Sequence, residues 1–187
     1  MSLRRVSWIT ALWTSGYGFY RLYYALGGTF GMTGTPVSKA QWIRINAIAA
    51  IMLFGTAVLA VAMIRLWKLP RIRPGLLAVC WCIAVACVSH ARIDIVQRIA
   101  SIGGWLTIDY PFWRTIDRRA LDLQVLFFNE PWFLIEGLLW IMVAWYGALR
   151  ESRHRRWWVG SAIIATLVST AIGLLSAFGV IGKVIVG

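Results

Sequence analysis

Apolar residues run through this chain in blocks long enough to cross a bilayer, and short basic clusters separate them. Spanning the ~30 Å hydrocarbon layer takes about 20 mostly apolar residues in a helix. Five blocks meet that length, at residues 6–26, 45–66, 75–99, 131–149 and 157–185, the third turning polar at "SHARIDIVQR". Pro131 stands where the fourth begins, and proline is tolerated in a first helical turn because its missing N–H has no intrahelical partner there. The pattern predicts an all-α integral membrane helical bundle of five transmembrane helices, one membrane domain over 1–187 with an outer loop at 100–130. Inside that loop, "IDRRALDLQVLFF" has apolar residues at helical spacing and is expected to lie along the membrane interface. There is no internal repeat, low-complexity segment or second domain.

The basic clusters set an orientation. Arg4 and Arg5 precede the first block, Arg65, Lys68, Arg71 and Arg73 follow the second, and Arg150, Arg153, Arg155 and Arg156 follow the fourth. In a chain that weaves five times these fall on one side, which places the N-terminus inside and the C-terminus outside. The outer loop carries Arg114, Arg118 and Arg119 but also Asp109, Asp117 and Asp122, and is too mixed to reverse the assignment. "VSWITALWTSGYGFY" after Arg4 and Arg5 lacks a small-residue cleavage site, so it reads as a first span rather than a signal peptide.

Composition agrees with the pattern. The chain is 60% hydrophobic and 14% charged, with twelve Trp and a mean hydropathy of +0.72. A net charge of +12 suggests nucleic acid, but the basic residues sit between apolar blocks, as in loops facing an anionic leaflet. No nucleic-acid motif accompanies them, so that class is set aside. Cys80, Cys82 and Cys87 share one apolar block with C-x-C spacing, which argues against a thiol redox site. One membrane His with Asp four residues on and Glu elsewhere could form a weak carboxylate site, but it lacks the ligand count and spacing of a zinc or di-iron motif, so neither metal nor cofactor is expected. No phosphate-binding loop, Ser-His-Asp set or nucleotide fingerprint is present.

The chemistry concentrates in the outer half. Ionisable groups at membrane depth cost about 2.5–3.5 kcal/mol each on insertion scales, so they are functional candidates by default. The first block ends in "YGFYRLYYALGG" with Arg21, the third carries His90 and Asp94, and the fourth opens on "NEPWFLIEGLLW". Cys87, His90, Asp94 and Gln97 share one helix face, as do Asn129, Trp132, Glu136 and Trp140. Glu130 falls off that stripe and is expected at the rim, while Arg92 and Arg98 are expected to snorkel to the interface. These stripes predict an outward-side pocket of Arg21, His90, Asp94 and Glu136 walled by Trp and Tyr. The plain alternative is an interhelical lock in which Arg21 pairs with Glu136 or Asp94. On the last block, Ser169, Gly173 and Ala177 form a small-residue edge for close packing within the bundle or against a second copy.

At "RLYYALGG" and "NEPWFLIEGLLW" the chain resembles a family of small, uncharacterised bacterial membrane proteins of actinobacterial type, with YALGG- and EPWF-like motifs. That resemblance implies a multi-span helical fold in a bacterial cytoplasmic membrane and no particular activity. The family often has His where this chain has Arg21. In type rather than motif, the chain is also similar to the small integral-membrane terpene cyclases, which are of comparable size and carry isolated acids among aromatics. That likeness implies proton-initiated cyclisation or isomerisation of a lipophilic isoprenoid-type substrate. A carboxyl among apolar side chains favours its protonated form and can start such a reaction. Catalytic Glu136, Asp94 and His90 are then expected, with Trp132, Trp140, Tyr20, Tyr24, Arg21 and Asn129 shaping the substrate site. The rival class is a non-catalytic membrane subunit or lipophile-binding protein within a larger assembly.

Overall fold

In the computed structural model, residues 1–180 are described. The architecture is an all-α bundle. The long helices are α1 (Leu3–Ala25), α2 (Lys39–Leu66), α3 (Arg73–Ile102), α5 (Glu130–Gly147) and α6 (Arg155–Ala177). A short α4 (Arg118–Gln124) and a π turn (Val125–Asn129) lead directly into α5. Among the described residues four helical runs are long and apolar enough to cross a membrane: Lys39–Leu66, Pro70–Ile102, Arg118–Gly147 and Arg155–Ala177. Helix α1 matches them in length, but with Ser7, Thr10, Thr14, Ser15 and Arg21 along it, it is less apolar and falls outside that set. Large apolar side chains such as Leu12, Ile51, Met52, Val58, Ile163 and Ile164 face outward, a surface suited to hydrocarbon rather than water.

The outer segment differs from the expected loop. Residues 118–130 are helical and continue into α5 instead of forming a separate interfacial helix. Pro131 explains the π turn before it. Proline has no N–H and crowds the carbonyl four residues back, so the helix widens, and the Glu130 N–H reaches Val125 O instead. Upstream, β1 (Gly34–Pro36) pairs antiparallel with β2 (Trp113–Ile116), a ribbon too short to read from the sequence. It joins the two outer loops, with Thr35 and Thr115 hydroxyls facing each other across it. The expected extension of the last span towards Ile185 lies outside the described residues.

The "YALGG" motif ends α1 as a Schellman motif. Gly27 N–H bonds Tyr24 O and Gly28 N–H bonds Tyr23 O, and Gly27 sits at φ 91°, a left-handed conformation that favours glycine. A Cβ at Gly28 would lie 2.2 Å from the Tyr23 ring. The same Tyr23 hydroxyl accepts the N–H groups of Thr29 and Phe30, so ring and turn hold each other.

Helix α5 is the centre of the bundle, packed against α3 on one side and α1 on the other. Gly137 permits the first contact, because a Cβ there would meet Val88 Cγ2 at 2.6 Å and Ala84 O at 3.2 Å. Ala57, Ala60 and Ala84 line the buried core together with Met63, Cys80, Trp140 and Val143. In lipid, close van der Waals packing of this kind replaces the hydrophobic effect as the force between helices. Gly173 on α6 rests on Ile93, and Ser169 Oγ bonds Ser89 Oγ at 2.7 Å. The Ser169–Gly173 edge is therefore occupied by α3 of the same chain.

Overpacking a tight interface costs about 1–3 kcal/mol. Gly137→Leu is expected to lower the melting temperature in detergent by several degrees. Gly160→Ala, whose added Cβ meets no heavy atom within 4 Å, is expected to leave it unchanged.

Candidate functional site

The polar residues expected to share one pocket divide into separate groups, each at a different helix–helix seam. At the α1–α5 seam, Glu136 is 4% exposed. Its Oε1 accepts the Thr14 hydroxyl at 2.6 Å and the Trp140 indole N–H at 2.8 Å. Thr14 Oγ1 also lies 2.8 Å from Thr10 O. The hydroxyl has a single proton, so it serves one of these acceptors at a time. With a proton on Glu136, Trp140 donates to Oε1, Oε1 donates to Thr14, and Thr14 donates to Thr10 O, so every contact is a hydrogen bond. Oε2 is buried with no partner. One helical turn earlier on α5, Trp132 stacks on Trp13 with centroids 4.1 Å apart, and Tyr17 lies against Trp132 at 5.7 Å.

At the α3–α5 seam, His90 Nε2 lies 3.7 Å from Glu130 Oε1, and the His90 ring meets the edge of Phe133 at 4.8 Å. One ligand atom each from His90, Asp94 and Glu130 falls within 4.8 Å of the others. Glu130 is 2% exposed, which corrects its expected place at the rim. Because α5 is buried on two sides, it has two inward stripes. Glu130, Phe133 and Gly137 face α3, whereas Trp132 and Glu136 face α1. Glu130, Phe133 and Gly137 stand at i, i+3 and i+7, a second stripe that a one-faced helix does not have.

Farther out, Arg98 forms a buried hub between α3 and α4. Its guanidinium reaches Asp122 Oδ1 at 3.2 Å and Asp94 Oδ2 at 3.7 Å, and it donates to the Tyr110 hydroxyl. Tyr110 donates to Asp122 Oδ1 at 2.8 Å, and Ser101 to Asp122 Oδ2 at 2.6 Å. Arg98 therefore does not snorkel as expected, because two carboxylates and a phenol satisfy it inside; Arg92 is exposed. Tyr110 and Asp122 were missed as partners because they come from the segment expected to be a loop.

Arg21 pairs with neither Glu136 nor Asp94. It donates to Asn46 Oδ1 at 3.2 Å and Tyr17 OH at 2.9 Å, and sits over the rings of Tyr17 and Tyr20 at 5.0 and 5.8 Å. It thus joins α1 to α2. Tyr20 and Tyr24 belong to this side too, packed edge to face at 5.0 Å, with Tyr20 OH accepting from Gln124 at 3.0 Å and Tyr24 OH donating to Phe30 O at 3.0 Å. Asn129 Oδ1 is buried with no partner. Of the expected pocket, then, Trp140 and Trp132 join Glu136, His90 and Asp94 join Glu130, and Arg21, Tyr20 and Tyr24 form a third group. Thr14, Tyr17, Asn46 and Asp122 complete these groups; Thr10, Thr14, Tyr17 and Arg21 repeat at helical spacing, the one signal that pointed to the first two.

Two cavities lie away from these carboxylates. One of ≈ 140 Å³ sits between α3, α5 and α6, bounded by Leu77, Trp81, Ile141 and Trp158. The other, ≈ 460 Å³, is an open groove between α1 and α2, bounded by Trp8, Leu12, Phe54 and Val58. No protein-family model matches the chain, and neither a curated protein nor a solved structure matches it.

Burial pushes the Tyr110 hydroxyl up from 10.0 to about 12; Arg98 opposes the shift and the adjacent Asp122 adds to it. The folded state thus keeps a proton that the unfolded chain releases near pH 10. This contribution to stability is present below pH 10 and lost as pH rises through about 12. Melting temperature in detergent is expected to fall across that window, and Tyr110→Phe to flatten the fall. Asp122→Asn removes one partner of a buried pair, a change of about 3–5 kcal/mol, and is expected to lower the melting temperature already at neutral pH.

Proposed function

We propose that this chain is a five-span protein of a bacterial cytoplasmic membrane, N-terminus inside, which acts on a lipophilic isoprenoid-type substrate by proton-initiated cyclisation or isomerisation. The basic clusters support the orientation, and the 23-residue length of α1, about 34 Å as a helix, supports the fifth span. The likeness in type to small membrane terpene cyclases supports the chemistry. The "YALGG" and "NEPWF" motifs support kinship with the actinobacterial-type membrane family.

The observation that carries the catalytic reading is the setting of Glu136. It is a buried acid whose hydrogen-bond chain closes when it holds a proton, with one oxygen left without a partner and indole rings beside it. Transferring that proton to a substrate alkene would form a C–H bond and leave a carbocation. Trp132, Trp140 and Tyr17 offer π faces that stabilise a cation without trapping it. Returning a proton from the cation to Glu136 would end the cycle with an isomer of equal mass. Because His90 and Asp94 pair with Glu130, they are assigned no direct part in this proton transfer.

A specific observation favours a second reading, the non-catalytic membrane subunit or lipophile-binding protein. Each polar group bridges two helices: Glu136 joins α5 to α1, Arg21 α1 to α2, Glu130 α5 to α3, and Asp122 α4 to α3. The two apolar cavities, moreover, do not adjoin Glu136. Under that reading the polar groups are a framework, and lipophiles occupy the apolar surfaces.

Glu136→Gln separates the two, since glutamine keeps the acceptor but cannot deliver the acid proton. The catalytic reading expects an unchanged melting temperature. It also expects mass spectrometry of the co-purified apolar extract to show a prenyl compound converted to an equal-mass isomer by wild type only. An extract that is the same for both proteins, with a clearly lower melting temperature for the variant, would establish the framework role instead.

A further inference from the structure

We propose that His90, Asp94 and Glu130 form a binding site for one divalent transition-metal ion of the Mn²⁺, Fe²⁺, Co²⁺ and Zn²⁺ group. The site is separate from Glu136 and does not depend on the isoprenoid reading. The sequence shows only His90 and Asp94 one helical turn apart on α3, too few ligands for a metal. The third arrives from α5, where the π turn and Pro131 precede an inward-facing Glu130. π turns of this kind recur at functional sites.

The geometry fits an ion-free form of such a site. One donor atom from each residue lies within 4.8 Å of the other two, and His90 Nε2 is 3.7 Å from Glu130 Oε1. A metal with bonds of about 2.0–2.2 Å holds its donors about 3–3.5 Å apart, so a contraction of about 1 Å by side-chain rotation closes the set. Two carboxylates and a neutral imidazole carry the charge that a divalent ion cancels. Imidazole with carboxylates suits the borderline metals better than Mg²⁺ or Ca²⁺, which prefer all-oxygen shells. Three protein ligands leave coordination positions open for water or a substrate.

Burial supplies the independent observation. Glu130 is 2% exposed, and its Oε2 faces no hydrogen-bond donor, an arrangement costly for a carboxylate unless a cation or proton meets it. Asp94 brings a second carboxyl within 4.8 Å of the same site. His90, with 31% of its side chain exposed, gives an ion a way in. Of the cations that act on the cluster, Arg98 reaches Asp94 Oδ2 at 3.7 Å and shares its charge with Asp122, and Arg21 is held by Asn46 and Tyr17. By engaging one oxygen, Arg98 orients the Asp94 carboxylate, as outer-shell partners of metal ligands do. The Phe133 ring packs T-shaped against the His90 ring at 4.8 Å.

The test uses the full chain, purified in mild detergent and stripped with a chelator. Titration with Co²⁺ is expected to give a visible absorption band that saturates at one ion per chain, is displaced by Zn²⁺, and is unaffected by Mg²⁺ in excess. Glu130→Gln and His90→Asn are each expected to weaken Co²⁺ binding at least tenfold at unchanged helical circular dichroism. Arg92→Gln, an exposed neighbour on α3, is expected to bind like wild type. Should Glu130→Gln fail to fold, His90→Asn decides, because that side chain is part exposed. Absence of saturable Co²⁺ binding in wild type would overturn the site and leave a proton shared by Glu130 and Asp94 as the answer to their proximity. Equal affinity in wild type and His90→Asn would overturn it as well.

Discussion

The burial of α5 on two sides at once is the constraint on which the rest of this structure depends. A helix at the edge of a bundle has one inward stripe, but α5 lies between α1 and α3 and presents two. Gly137 lets α3 come close, and stacking of Trp132 on Trp13 fixes the approach of α1. Between them they decide which way Glu130 and Glu136 point, and so which chemistry each carboxyl can do. Pro131 adds a second constraint. By removing one N–H it produces the π turn that merges α4 with α5 and draws Asp122 into contact with Arg98.

With two carboxylates on different faces of one helix, the polar residues are distributed rather than pooled. Each seam receives one or two hydrogen-bonded groups instead of a single charged pocket. Distribution has a physical advantage in a low-dielectric bundle, where like charges brought together repel strongly and an unpaired group is expensive. Glu136 is served by a hydroxyl and an indole, Arg21 by an amide, a phenol and two rings, and Arg98 by two carboxylates and a phenol. Glu130 and Glu136 each keep one buried oxygen that no donor meets, but Glu130 has His90 and Asp94 beside it whereas Glu136 has Thr14 and Trp140.

The segments after α1 and before α4 close this arrangement at one end of the bundle. The β1–β2 ribbon ties the segment after α1 to the segment before α4, and Trp42 lies against both Tyr24 and Trp113, with centroids 5.7 and 5.1 Å away. Asp117 caps α4 by accepting the Ala120 N–H, which starts that helix where Asp122 can reach Arg98 and Ser101 one turn later. Aromatic packing, a short ribbon and a helix cap thus position the charged hub.

The sequence by itself determined the helical class, the approximate places of the long apolar helices and the residue types able to do chemistry. These follow from local physics: hydrophobic run length and the cost of ionisable groups in hydrocarbon. It also paired Glu136 with the face of Trp132 and Trp140 correctly, because residues on one side of one helix are related by periodicity alone. Tertiary structure decided the partners. Thr14 for Glu136, Glu130 for His90 and Asp94, and Asn46 for Arg21 lie on different helices, and periodicity gives a face without saying which helix it meets. Periodicity does not place Glu130, because α5 buries two stripes rather than one, and strands of three and four residues carry too little pattern for the ribbon to be read.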